Sequence, residues 1–232
     1  MIIQNPLSDP LSDVLALSGL RAACSVRLQA GGDWALRFQP IELKFNVVRR
    51  GECWLRVPDQ PARRLRAGDC FVVSRTPFVL SSAADMQPIN ASEVFAESGS
   101  SAVYGVGNDV ELLGGSVSLV SPGAADLLEW LPPVIIIEAR ASGATSFAWL
   151  LDELDREWQS AQAGAYAMCN DLLRLIFVHA LRHHIVTADL AELAWLGGLR
   201  EPAIANVMRA VHGAPAHSWK LAEMAAIACM SR

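Results

Sequence analysis

No histidine precedes His179. Imidazole is the commonest side-chain ligand for zinc, copper and iron, so the chain before that residue can build no metal centre on it. The five cysteines (Cys24, Cys53, Cys70, Cys169 and Cys229) are odd in number, scattered, and never spaced CxxC. That pattern excludes a disulfide framework and a structural zinc knot. The opening MIIQNPLSDPLSD has neither the basic flank nor the apolar core of a secretory signal. No apolar run is long enough to span a bilayer; Val134–Ile137 is far too short. There is no GxSxG, no HExxH and no phosphate-binding loop, and no internal repeat or low-complexity tract. A net charge of -5 with a pI near 5.5 excludes a nucleic-acid surface spread over the whole molecule, while leaving room for a small basic module. The expectation is a reduced, soluble, cytoplasmic protein with no membrane segment.

What is present is dominated by the stretch from Lys44 to Leu80. Short runs of Val, Phe, Trp and Leu are broken at Arg50-Gly51, Pro58-Asp59 and Ala67-Gly68-Asp69. Branched and aromatic residues suit a pleated, half-buried surface, and Gly or Asp supplies turn conformations. This reads as a β-meander. Upstream, Cys24 to Leu28 and Trp34 to Phe38 alternate apolar with polar, and Gly31-Gly32 between them predicts a hairpin. Pro6 to Leu20 predicts a short helix capped by Ser12 or Asp13. Asp85 to Ser101 reads as a loop with one weak strand, and further strands are expected at Val103–Val106 and Val117–Val120.

After Pro132-Pro133 the period changes. Phe147, Leu150, Leu151, Leu154 and Trp158 recur at helical spacing, opposite Asp152, Glu153, Asp155 and Arg156. A second helix, Ala165 to Ile185, is apolar nearly all round from Leu172 to Leu181, which calls for packing partners on two sides. Asp189 to Leu196 predicts a short helix stopped by Gly197-Gly198. Another begins at Glu201-Pro202, and a last one runs from Leu221 to Ala228. His179, His183 and His184 offer an i, i+4 metal pair, although histidines in the last turn of a helix also interact favourably with its dipole, the reading preferred here. Arg49, Arg50, Arg56, Arg63, Arg64 and Arg66 fit either an anion site or, as preferred, a solvated strand edge.

Two stretches together resemble the AraC family of transcriptional regulators, in the branch with a cupin-like sensor. One is FNVVRRGECWLRV followed by LRAGDCFVV, with DPLSDVL upstream and LPPVI downstream. The other is REPAIANVMRAVHGAPAHSWKLAEMAAIACMSR, similar to the opening of that family's DNA-binding region. Related sensors often carry histidine where this chain has Asn46 and Phe78. Lys220 replaces the usual Ser or Thr at a helix start, so a capping box with Glu223 is expected to be lost, at about 1 kcal/mol. Cys229 stands where the turn commonly has Gly.

The resemblance implies an α+β chain in three parts. Residues 1–140 form a cupin-like antiparallel β-barrel, 141–199 a helical dimerisation segment, and 200–232 a helix–turn–helix region truncated at its first helices. In the barrel, Asn46, Val48, Phe78 and Leu80 are expected to point at a small-molecule effector, or alternatively to sit in a filled interior. Leu172, Leu173, Ile176, Phe177 and Ala180 are expected to pair two copies. Ser231 and Arg232 would start the DNA-reading helix, so DNA recognition belongs to a full-length form. The implied function is a ligand-responsive regulator needing no cofactor and no metal, and not an enzyme. The alternatives are a stand-alone dimerisation partner that antagonises intact relatives, and a metal-free cupin enzyme.

Overall fold

The computed structural model describes residues 9–17, 19–98, 101–119, 131–139, 144–189, 193–214 and 216–230. Helix α1 (Pro10–Leu17) is followed by strands β1 (Leu20–Gly31), β2 (Ala35–Phe38), β3 (Leu43–Arg50), β4 (Glu52–Arg56), β5 (Arg63–Arg66), β6 (Cys70–Ser74), β7 (Phe78–Ser81) and β8 (Ile89–Asn90). Helix α2 (Ala91–Ser98), β9 (Ser101–Gly105), β10 (Val110–Leu119) and β11 (Val134–Ile137) come next. Helices α3 (Ala144–Ser160) and α4 (Ala165–Thr187), a 3₁₀ segment at Ala194–Arg200, α5 (Pro202–Gly213) and α6 (Leu221–Ile227) complete the order. Two compact units result. One holds Arg21–Ser118 and Leu131–Leu181; the other holds α1 and the chain from Arg182 onward.

The strands form a six-stranded sheet, ordered β11-β6-β3-β10-β1-β9, and a five-stranded sheet, ordered β5-β4-β7-β2-β8. Most pairs are antiparallel, but β1 with β9 and β2 with β8 are parallel. These are two layers, not a closed barrel. The expected meander is corrected likewise: β3 and β6 lie in the larger sheet, while β4, β5 and β7 lie in the smaller. Among the described strands, only β4 and β5 form a local hairpin. A single glycine explains the first crossing. Gly51, between β3 and β4, has φ of 73°, and a Cβ there would lie 2.0 Å from the Asp109 carbonyl oxygen. No L-residue fits such a corner. Gly31-Gly32 does not close a hairpin either, because β1 and β2 belong to different sheets. Local pattern sees the turn and misses which layer the chain enters next.

Between the sheets lies an apolar core that includes Leu36, Val48, Leu55, Phe71, Phe78 and Leu80. The other face of the larger sheet carries helices. Gly115 on β10 pairs with Phe45 on β3, and a Cβ on Gly115 would meet the Leu173 side chain of α4 at 2.7 Å. On the same face Arg49 donates to Asp152 and Asp155 of α3, at 3.1 and 3.4 Å. Asp155 also attracts Arg27 of β1.

Helix α4 packs one side within its own chain and leaves the other exposed. Cys169, Leu172, Leu173, Ile176, Phe177, Ala180, Leu181 and Ile185 are buried, a single stripe at three- and four-residue steps. Asp171, Arg174, Leu175 and Arg182 are exposed opposite it. Leu172, Leu173, Ile176, Phe177 and Ala180 therefore pack inside their own chain, each at most 5% exposed.

The other unit is small. The cap of α1 is Asp9, one turn before the expected residues: its carboxylate accepts the Ser12 N–H at 3.0 Å and the Ser12 hydroxyl at 2.6 Å. Gly197 and Gly198 do not stop a helix but lie inside the 3₁₀ segment. Gly198 faces Ile204 and Met208 of α5 closely enough to exclude a side chain. At α6 half of the capping box survives. The Glu223 carboxylate accepts the Lys220 N–H at 3.1 Å and also meets His217 at 3.2 Å; the Lys220 ammonium has no lone pair with which to return the bond. The helix ends at Ile227, one residue before the expected Ala228, and Cys229 beyond it has a φ of 54°. The Cys229 N–H bonds Ala226 and the Met230 N–H bonds Ala225, the Schellman pattern with cysteine in the left-handed position. Ser231 and Arg232 lie outside the described residues.

Candidate functional site

A cavity of about 620 Å³ opens where β2, β3, β7, β10 and the start of α2 converge, within the ~300–1,000 Å³ range of small-molecule sites. Asn46 and Phe78 line it, as expected. Val48 and Leu80 do not. They are 0% and 1% exposed, deeper in the inter-sheet core.

Strand alternation places Lys44 and Asn46 on the cavity face of β3, two residues apart. Asn46 is 8% exposed, and its Nδ2 has no hydrogen-bond partner. A buried amide donor left unmade costs about 1–3 kcal/mol, so a turn of the Asn46 side chain that brings Nδ2 to the cavity would be rewarded by an acceptor there. Gly114, the β10 residue paired with Asn46, makes room for it: a Cβ there would lie 2.7 Å from Asn46 Oδ1. Lys44 has neither ion pair nor hydrogen bond among the described residues, and its partial burial pushes the ammonium pKa down against an opposing pull from Glu42. Lys44 and Lys220 are the chain's only lysines.

The remaining walls are largely apolar. Phe38 stacks on Phe78 with ring centres 4.8 Å apart, and Phe95 tilts against Phe38 at 6.4 Å. Val26 and Pro40 add to them, with Arg37, Gln39, Asn90, Ala91 and Ser92 also lining the cavity. Lys44 was legible in principle, because it shares the period-two face of Asn46. Phe95 was not, because the stretch that forms α2 reads as loop.

None of the six arginines singled out from the sequence lines this cavity. Arg49 and Arg50 pair with acidic side chains, Arg64 pairs with Glu52, and Arg56 donates to the Met86 carbonyl. Arg63 and Arg66 are exposed. Among the described residues no three His, Cys, Asp or Glu side chains are grouped to hold a metal ion. His184 is buried, with His179 and His183 half-buried on the same helix. Cys53 and Cys70 are buried, which raises both thiol pKa values, that of Cys53 to about 12, and disfavours reactive thiolate. No described helix is long and apolar enough to cross a membrane.

Two facing sheets enclosing a side-chain-lined cavity define a cupin-type domain, and the cupin family profile matches residues 9–186. A protein of Streptomyces antibioticus described as an AraC-like transcription regulator is 38% identical over 229 residues, covering 97% of this chain and 75% of that protein. Its counterpart in Streptomyces lividans gives the same values. The chain belongs to this family of AraC-like transcription regulators with a cupin domain. Among solved structures, ToxT from Vibrio cholerae O395 aligns over 92% of this chain and 71% of its own, at 10% identity and a TM-score of 0.38.

Proposed function

We propose that this chain is the sensing part of a ligand-responsive transcription regulator and not an enzyme. The observation that carries the proposal is the cavity, with the unpartnered Asn46 amide and the partly buried Lys44 ammonium beside a wall of three phenylalanine rings. Such a site binds a molecule without reacting with it: it holds donors and rings, and no nucleophile paired with a base lines it. A small-molecule screen by thermal shift on the 232-residue chain tests this. Compounds that raise Tm in wild type, and fail to do so when Gly114→Val closes the Asn46 end, support it. A screen whose stabilisers act equally on both proteins overturns it.

Two further parts belong to the same reading. Sequence-specific DNA recognition is assigned to helices beyond α6, because a helix–turn–helix reads bases with its second helix. A gel shift at low salt on the gene's upstream region should show saturable, competitor-resistant binding only for a chain extended past Arg232. Pairing of two copies is assigned to the outward sides of α3 and α4, where Trp149, Tyr166, Met168 and Leu175 stand 49–65% exposed. Trp149→Glu with Leu175→Glu should convert a sedimenting dimer to monomer; a monomeric wild type at micromolar concentration would refute the pairing.

A further inference from the structure

Resting on the cavity as a ligand site, we infer that its ligand is a monocarboxylate carrying an apolar body, with the carboxylate held by Lys44 and Asn46 and the body lying along Phe38, Phe78 and Phe95. The lining contains no acidic side chain, so nothing inside it answers the Lys44 charge. Lys44 and Asn46 project from one face of β3 about 7 Å apart along the strand, a separation the flexible lysine stem can close onto a shared group. One cation and one amide donor match a single negative charge with two acceptor oxygens. The first turn of α2 reaches the same cavity through Ala91 and Ser92, and the positive end of the helix dipole favours the same sign of charge.

The fixed charge beside the aromatic wall argues against a neutral ligand. An uncharged molecule of the same shape would leave the ammonium without a partner in a half-buried place, whereas a carboxylate forms a charge-assisted hydrogen bond there. A phosphate dianion is a poorer match. Its second charge requires a further cation, and Arg37, the remaining cation on the lining, is exposed at the mouth. A guanidinium in water contributes little to holding a buried charge.

The test is calorimetric titration of the 232-residue chain with decanoate and 4-phenylbutyrate, each beside its own primary amide, and with phenyl phosphate. At least one acid should bind roughly tenfold more tightly than its amide, the scale of one charge-assisted hydrogen bond. Lys44→Met, which keeps the stem and removes the charge, should abolish that preference and leave amide binding unchanged. Equal binding of acid and amide, preference for phenyl phosphate, or an acid preference that survives Lys44→Met would overturn the inference while leaving the cavity as a ligand site. Failure of both acids and both amides to bind would overturn it too. Phe78→Ala weakening acid and amide alike would show that the body lies where the rings place it; no effect on either would show that it does not.

Discussion

Strand β3 has two faces with opposite fates. Leu43, Phe45 and Val47 look toward the helical side and are at most 1% exposed. Lys44 and Asn46, on the alternate face, end in a cavity with donors unmade. The same strand, in the same sheet, is sealed on one side and open on the other. The difference lies in what covers each face. A long helix lays an apolar stripe over the first face, with Leu173 close against Gly115, whereas a short strand and the two-turn helix α2 leave one corner uncovered. The packed core lies on the first face and the proposed ligand site on the second.

The largest break in that comparison comes from the sealed face. Phe177→Ala should cost about 3–5 kcal/mol, read by urea unfolding, because a fully buried ring leaves a void that the packed helix cannot collapse. Charge introduced at Leu173 or Phe177 should unfold the protein and not simply separate two copies.

Adjacent glycines on β10 give the sharpest contrast. Gly115→Ala places a methyl 2.7 Å from the Leu173 side chain and 2.9 Å from the Ala23 carbonyl oxygen, so it should cost about 1–3 kcal/mol through overpacking. Gly114→Ala meets the end of the Asn46 side chain, which borders the cavity and can turn toward it, and its cost should stay below about 1 kcal/mol. Equal losses in Tm would mean that the two faces are equally tight.

Asp155→Ala comes next. This half-buried carboxylate faces both Arg27 and Arg49, and its removal should cost about 1 kcal/mol, less at high salt. The smallest effect belongs to Lys44. Burial holds its folded-state pKa below the ordinary lysine value of 10.5, so between the two the unfolded chain binds more protons than the folded one. Wild-type stability should therefore rise with pH across that alkaline window relative to Lys44→Met. A difference between the two proteins that does not change with pH would contradict the burial of the ammonium.

Much of this was legible in the residues themselves. The α3 stripe and the Pro202 helix start follow from local chemistry, and local chemistry decides them; the turn at Cys229 came from the family pattern. Asn46 and Phe78 were found through the family pattern and do line the cavity. The layer assignments were not legible: a turn at Gly51 or Gly31-Gly32 looks the same from sequence whether the chain folds back on its own sheet or crosses to the other. Helix α2 was hidden for a related reason. Its eight residues are too few to display a period, and its role depends on β8 and β9 beside it. The second packed side expected for α4 is not supplied by its own chain, since Leu175 is as apolar as its neighbours and yet faces out.

The crossing of strands between sheets also bears on how the protein reaches its fold. In the larger sheet β3 lies between β6 and β10, and β1 lies between β10 and β9, so Arg27 finds its neighbour only at Ser101. Few of these pairs can form as local hairpins; each requires closing a long loop before any contact rewards it. Such chains fold in milliseconds to seconds, slower than helical bundles of similar stability. During synthesis β1 and β3 wait with open edges until β10 emerges, and that interval is when misassociation is most probable.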